Sequence, residues 1–595
     1  MPSEVTPAKF QNVLKRGFER VNTYRRARAM FVKKYTGQYY MAKAGLTGDQ
    51  PINMLFKTLS AFIPSLVTNN PINEVSSKFL VHKPYCEMMG LALDQIDKDL
   101  RLKDVLRGWI ASAFFAFGII KVSLASAECM IQYGDQLIDP GQVYAELVDL
   151  DDFVFDPICN SLQKASFLGS RTRVPRQILL DTEGYDHDMV MKLPTSKFGE
   201  SSRVDSITKK STAESEVYTL QDYVDVVESW VPEAQAMVST PDPRQIILPK
   251  YLRVEDYYGP AEGPYTFLTF TPPVQGNPLP IAPIAQIYDL NDVANRTFKR
   301  MMNQADREKD VLFYQPASAD EAQDGIEAND GDAIAVTDVD GMKVVSWGGA
   351  SQKNQEMVGQ FHSWLNYMAG DPDTIAGQDS GGGSRETATK ASIKQSNAAL
   401  SIQDARGIIS DQTAEVNKKL AWYVHYDPLI NLPLIKRSTG GEYQQIVLTP
   451  EQRQGDFWNF SFKLRAKSLA PVDPQQRARL MTEFATSILP AVTQAAMVSM
   501  QMGVPFNIQR CLTQLAEAQG LTQDVQSWFD DPEFNQKMQI MMQMGPQNPG
   551  KAGGGGQQNG GSGQGFSSTP RLAQSQQQQT NMDQQVMGGE AQQTF

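Results

Sequence analysis

Apolar residues recur at helical spacing in two stretches that bracket a region of different pattern. Ile284, Ile287, Ala294, Phe298, Met301 and Ala305 fall at intervals of three, four and seven and predict a helix over Pro280 to Asp310. Asn277-Pro278-Leu279-Pro280 opens it, and Pro283 sits in the first turn, where a missing N–H costs little. Arg296, Lys299, Arg300 and Arg307 share the remaining surface with Asp292, Asn295 and Asp306. A second helix is predicted from Ser351 to Ala369, with Met357, Phe361, Trp364, Leu365 and Met368 as its stripe and Gly370-Asp371-Pro372 as its stop. Between them Val311–Tyr314, Ala333–Val336 and Lys343–Trp347 read as short strands, punctuated by Asp330-Gly331 and Asp340-Gly341. Two helices and a few strands cannot bury their apolar faces alone. The excursion is expected to dock on a parent domain or to pack beside copies of itself.

The chain before this excursion mixes both periods. Residues 7–34 predict an amphipathic helix with Phe10, Val13, Leu14, Phe18, Val21 and Tyr24 inside. Pro51–Thr68 predicts a second helix, ended by Asn69-Asn70-Pro71, and Glu74–Val81 a strand. Helices follow over Tyr85–Leu100 and Leu102–Phe117, then strands at Lys121–Leu124, Met130–Tyr133, Val143–Leu147 and Ser170–Val174. Pro175–Asp181 starts a helix, and the Ser/Lys/Thr-rich residues 194–216 read as a loop. Further strands are predicted at Val217–Trp230, Gln245–Leu252 and Tyr265–Phe270, so residues 1–275 make an α+β body. After the excursion comes a polar, glycine-rich loop, Thr374–Ser384. A long helix, Arg385–Tyr426, follows, its first half built of small residues and its second carrying Ile402, Ile409, Val416 and Leu420. Small residues suit a tightly crossing helix or one lining a narrow passage. Strands are predicted at Tyr443–Leu448 and Phe457–Leu464. Pro471–Gly520 is helical, with Met481, Phe484, Ile488, Leu489, Val492 and Met497 inside. From Gly545 the Gly/Gln/Ser-rich composition predicts disorder.

Charge sharpens this picture. The 595 residues are 41% hydrophobic and 21% charged, as in a folded soluble protein, with a net charge of −12. That balance argues against a protein that coats nucleic acid by neutralising phosphates. It leaves room for a surface that nucleic acid slides past. Nine carboxylates and no Lys or Arg lie between Asp310 and Asp340, whereas nine Lys/Arg lie between Lys9 and Lys34. The basic helix is read either as a solvated face or as a surface facing an anion, packaged nucleic acid or a neighbouring subunit's acidic patch. Cys86, Cys129, Cys159 and Cys511 are scattered and are expected to be reduced thiols. There is no signal-like apolar N-terminus. The most apolar run, Trp109–Ile120, falls short of the roughly 20 residues of a membrane span and reads as a core helix running into a strand at Gly118.

Enzymatic signatures are sparse. The sequence has no G-x-x-x-x-G-K-[ST], no H-E-x-x-H and no zinc spacing, and His82, His187, His362 and His425 are isolated. Asp149, Asp151, Asp152 and Asp156 are the one cluster with metal-ion character, suited to Mg²⁺ and phosphoryl chemistry. Interruption by Phe153-Val154-Phe155, with Pro157 next, fits a turn better, since Asp favours turns and caps. Gly381-Gly382-Gly383 before a helix is either a phosphate cradle or a flexible loop, the second being the simpler reading without a preceding strand. Lys390 and Lys394, four apart, face either a phosphate backbone or solvent. No catalytic, cofactor or metal residue is assigned.

Five collinear stretches resemble the portal proteins of tailed bacteriophages: Asn53–Pro71, Ala113–Val122, Val148–Pro157, Pro280–Asp310 and Gly370–Ala399. In that family the second is a helix–Gly–strand passage and the third a D-x-F-x-x-D-P segment, which favours a structural role for those aspartates. The likeness runs from about residue 50 to about residue 465. It implies a helix-rich α+β portal fold with wing, stem, clip and crown, assembled as a ring around a channel, usually of twelve copies. Wing would be 1–275, first stem helix 276–310, clip 311–350 and second stem helix 351–370. Channel loop, long helix and return to the wing would be 371–466, helical crown 467–544 and disordered tail 545–595. Channel-facing residues would be Gln378, Asp379, Ser380, Gly381, Arg385, Lys390 and Lys394. Clip contacts would be Phe313, Tyr314, Asp330, Asp332, Asp338, Asp340 and Trp347. The clip strands would pair across subunits. An acidic clip repels DNA phosphate, so that a duplex passes without adhering. Implied partners are sister subunits, double-stranded DNA, the terminase large subunit, head–tail adaptor and tail proteins, and the major capsid and scaffolding proteins, with no membrane. The implied place is the virion's portal vertex, and the host cytoplasm during assembly. The rival readings are another virion structural protein, such as a head–tail adaptor or vertex subunit, and a Mg²⁺-dependent nuclease using Asp151, Asp152 and Asp156.

Overall fold

A computed structural model describes residues 6–37, 52–125, 131–133, 136–138, 141–196, 221–329, 333–337, 342–347, 349, 352–369, 388–437, 443–465, 468–469, 478, 481–502 and 508–519. These belong to the first of two units into which the chain divides, Met1–Asp530. The second unit, with the glycine-rich tail 545–595, lies outside the described residues.

The mixed α+β reading holds. One core forms where helices Met54–Leu66, Lys83–Asp99, Leu102–Phe115 and Ala388–Tyr426 meet, around the fully buried Trp109, Leu93, Leu106, Val416 and Leu420. The last of these helices arrives from more than 270 residues along the chain, so its lower half, not local sequence, closes this core. Strand Asn73–Ser77 likewise pairs antiparallel with Phe460–Leu464, Asn73 opposite Leu464. The three-stranded sheet in this region is ordered Tyr265–Leu268, Gly118–Ala125, Gln142–Leu147. Leu102–Phe115 runs into the second of these strands at Gly118, where the approach of Trp109 leaves no room for a side chain.

A second core lies under a five-stranded antiparallel sheet in the order Arg253–Asp256, Ala236–Pro241, Tyr223–Val231, Leu168–Pro175, Phe153–Phe155. The N-terminal basic segment covers it as two helices, Pro7–Arg20 and Asn22–Thr36, joined at the buried Val21. Thr6 caps the first, accepting from the Lys9 N–H, and Phe10, Leu14 and Phe18 pack on Val154, Phe167 and Val227.

Several predicted elements differ. Gln245–Leu252 is not a strand; Gln245 and Ile246 donate to the Asp242 carbonyl in a turn, and the edge strand is Arg253–Asp256. Ala236–Pro241 is a strand buried at nearly every position, which erases the alternation that marks a half-exposed strand. Glu74–Val81 stops being a strand at Ser77, and Leu80–His82 forms a 3₁₀ turn. Ala333–Val336 is not a strand, and the helix Ala319–Glu327 precedes it instead. Asp320 and Glu321 lie in that helix's first turn, where carboxylates favour helix formation. Leu432–Arg437 forms an unanticipated hairpin with Tyr443–Leu448. In the C-terminal helices Phe484, Val492, Leu512 and Ala516 form the interior, but Met497 is 67% exposed. A π turn over Phe484–Ile488 precedes Leu489–Met502, and Ala496, four residues after Val492, takes the inward place.

Candidate assembly surfaces and an arginine-clamped turn

The excursion begins with the ascending helix Ala285–Ala305 and returns by the descending helix Gln352–Ala369. Its root is bound to the body by backbone-directed polar contacts. Asn295 Oδ1 accepts from the Ile52 N–H at 2.9 Å, and Asn295 Nδ2 donates to the Ile52 carbonyl at 2.8 Å. One turn earlier, Asn291 Oδ1 accepts from the Met54 N–H at 3.1 Å. Lys34 pairs with Asp292 at 2.6 Å, and Tyr24 Oη donates to the Pro280 carbonyl at 2.7 Å. Asn295 is therefore not a surface residue as its neighbours in sequence suggest; it and Asn291 are buried.

The apolar stripe of the ascending helix is only half used by its own chain. Ile284, Ile287 and Ala294 are buried with Met54, Leu55 and Leu59, and Phe361 and Leu365 of the descending helix join the same cluster. Beyond Ala294, Phe298 and Met301 are partly covered and Ala305 is exposed. On the descending helix Met357, Trp364 and Met368 are exposed, Trp364 by 45%, although the spacing had put all three inside.

At the far end Lys309–Tyr314 and Met342–Trp347 pair antiparallel with each other, Val311 opposite Val345. These two strands pair within one chain as a two-stranded sheet, each with an outer edge. Phe313 and Tyr314 are exposed. Trp347 lies opposite Lys309, and Asp330, Asp332, Asp338 and Asp340 fall outside the described residues. The described carboxylates Asp310, Asp320, Asp324 and Glu327 are exposed. Glu321 accepts from both the N–H and the hydroxyl of Thr337, and the hydroxyl contact first among them holds its carboxyl below the usual range.

Of the channel candidates, Gln378, Asp379, Ser380, Gly381 and Arg385 lie outside the described residues. Lys390 and Lys394 lie one turn apart on Ala388–Tyr426.

Lys9, Lys15, Arg16, Arg26 and Lys33 of the basic N-terminal helices are exposed, as a solvated face predicts, whereas Arg20, Arg25 and Arg28 turn inward. Arg25 donates to the carbonyls of Phe18, Leu150 and Phe153 at 2.7–3.0 Å and is buried. Arg28 makes a bidentate pair with Asp149, at 2.6 and 2.8 Å. Arg20 donates to the Pro157 carbonyl at 2.5 Å and the Cys159 carbonyl at 3.0 Å. From the sheet side Arg171 pairs with Asp152. Asp156 is used locally, accepting from the Ile158 N–H and from Ser166. Asp151 is buried, accepts no hydrogen bond, and faces Arg25 at 3.8 Å and Arg28 at 3.9 Å. Burial pushes the Asp149 carboxyl up, but its bidentate Arg28 more than offsets this and the net shift is downward. Burial likewise lowers the Arg25 guanidinium to about 10, against the pull of Asp151.

The four aspartates are thus oriented by guanidinium groups and backbone N–H groups. Among the described residues no three His, Cys, Asp or Glu side chains converge on one point as metal ligands. His425 Nδ1 lies 2.8 Å from Tyr85 Oη, and burial lowers its pKa; His82 packs edge-on to Phe79, and His187 is exposed. Sequence reading missed the pair of buried Lys121 with half-buried Glu228, at 2.7 Å, which joins the two larger sheets; only the alternation of its strands hinted that either side chain points inward.

Residues 131–233 match the family of the phage SU10 portal protein. The match spans the clamped turn and the sheet strands Phe153–Phe155, Leu168–Pro175 and Tyr223–Val231. No curated protein matches the chain. Among the described residues no helix is long and apolar enough to cross a membrane.

Proposed function

We propose, from the premise that this chain is a phage portal-family protein, that it builds the ring through which the genome enters and leaves the capsid. In this reading residues 1–275 and 371–466 form the wing, and the ascending and descending helices form the stem. The acidic hairpin region 311–350 forms the clip, and 467–544 the crown. Portal proteins are structural, so the energy for packaging would come from a separate terminase motor docked at the clip. Adaptor and tail proteins would take its place afterwards, and capsid and scaffolding proteins would surround the wing.

The observation that carries this reading is the excursion's two-sided stripe. One side is buried on its own body through Ile287, Ala294, Phe361 and Leu365; the other leaves Met357, Trp364 and Met368 in solvent. A monomer gains nothing from that second face, whereas sister helices packed around an axis would cover it. Exposed carboxylates at the tip suit a passage for DNA, since like charge keeps a polyanion moving.

Negative-stain microscopy and native mass spectrometry of the purified protein test this. A closed ring, usually of twelve copies, with a central opening wide enough for a duplex is the expected result. A monomer or dimer at every accessible concentration would remove the portal reading and leave that of an adaptor or vertex subunit.

A further inference from the structure

Helix Lys83–Asp99 carries an apolar knob just before one end and an apolar groove at the other. The knob is Phe79-Leu80-Val81, in the turn between strand Asn73–Ser77 and the helix. Leu80 is 88% and Val81 78% exposed. The Lys78 N–H donates to the Asn459 carbonyl at 3.3 Å, which sets the exposed Trp458 beside the knob. The turn is held from beneath, with the His82 ring edge-on to Phe79 and close over Gly455. Its exposure therefore belongs to a braced element.

The groove has a volume of about 580 Å³ and is lined by Ile96, Leu100, Leu124, Val143, Leu429 and Leu432 among others. The helix has 17 residues, so knob and groove are separated by about 25 Å and cannot meet within one chain. Charge matches as well as polarity. Exposed Lys78 and Lys83 flank the knob, while Asp99 and Asp427 line the groove.

We propose that Leu80 and Val81 of one copy seat in this groove on the next, with Lys78 and Lys83 facing Asp99 and Asp427 of the partner subunit. A different protein as occupant would account for one of the two surfaces; a second copy accounts for both. Because the surfaces differ, the contact is head-to-tail and repeats until a ring closes. The inference rests on the ring reading above and names the wing-level contact that would set the rotation between neighbours.

Cysteine pairing tests it directly. The chain carrying both Leu80→Cys and Leu429→Cys is oxidised mildly, beside each single variant. A ladder of covalent multimers from the double variant only is expected, since a disulfide requires Cα atoms within about 7 Å. In parallel, Leu80→Asp/Val81→Asp should raise the concentration needed for assembly by about tenfold or more, with the far-UV spectrum unchanged. Should that variant misfold, Lys83→Glu is expected to weaken assembly and Asp99→Lys in the same chain to restore it. Rings that form normally in these variants, with no ladder, overturn this contact and leave the portal reading standing. A wild-type chain that stays monomeric overturns both.

Discussion

Asn295 and the backbone of Ile52 exchange two hydrogen bonds, so that one amide side chain reproduces a rung of β-pairing between a helix and a loop 243 residues away. This contact decides where the ascending helix stands. Replacing Asn295 by Leu keeps its branched shape but leaves the half-buried N–H and C=O of Ile52 without this partner, at a cost of up to about 1–3 kcal/mol each. The expected outcome is faster amide exchange over Ile52–Leu66 and a lower denaturant midpoint. Asn295→Asp keeps the acceptor but sets a carboxylate against the carbonyls of Ile52 and Asn291, so its loss should shrink at low pH, where the protonated group can donate.

Arg25 is expected to be a structural residue of the clamped turn. Arg25→Met strips three carbonyls of this donor and leaves Asp151 with Arg28 as its ion contact among the described residues. Breaking a buried charged contact of this kind costs about 3–5 kcal/mol. Adding Asp151→Asn should recover part of it, because the uncompensated charge is then gone. A double-mutant cycle by chemical denaturation measures the coupling; a value near zero would show that the two groups act separately.

Gly17 lets helix Pro7–Arg20 lie directly on the strand it covers. A Cβ there would stand 2.6 Å from the Phe155 carbonyl oxygen and 2.8 Å from a Val154 methyl. Gly17→Ala would gain helix propensity on an exposed helix, yet here it should destabilise by about 1–3 kcal/mol through overpacking. Thermal melts of the variant check the sign.

Asp97 makes stability depend on pH in a definite direction. It is buried at the centre of a network in which Asn73 Nδ2 and Asn417 Nδ2 both donate to its Oδ2, at 2.8 and 3.0 Å. Burial raises its pKa to about 7, the neighbouring Asp94 adding to the shift and the two asparagines opposing it. The folded state thus holds a proton that the unfolded chain releases near pH 4. This contribution is full below about pH 4 and lost as pH rises towards about 7. Asp97→Asn should therefore flatten the stability profile between pH 4 and 7, and parallel slopes for variant and wild type would contradict this assignment.

Mg²⁺ should leave the melting temperature unchanged at concentrations that occupy ordinary carboxylate sites, and so should EDTA. Arg28, Arg171 and local donors already engage Asp149, Asp152 and Asp156. A Mg²⁺-dependent rise abolished by Asp152→Ala would reopen the nuclease reading.

Much of the local architecture was written in residue spacing. Helix Leu102–Phe115 passing into a strand at Gly118, and the two helices bracketing a β-hairpin, follow from periods of 3.6 and 2 that neighbouring residues enforce on one another. The resemblance of Val148–Pro157 to portal proteins favoured structural aspartates; in the fold Arg28 and Arg171 engage Asp149 and Asp152, and the family match covers that stretch. Which groups those aspartates meet was not legible, because Arg25 and Arg28 stand more than 120 residues away and look like a solvated basic face until the helix is placed. Asn295 was misjudged for the same reason: a polar residue on an amphipathic helix reads as surface unless a distant backbone comes to pair with it. Periodicity is a short-range property and sorts residues into faces. What covers each face is decided by contacts between segments far apart in the chain, and only the folded structure holds those.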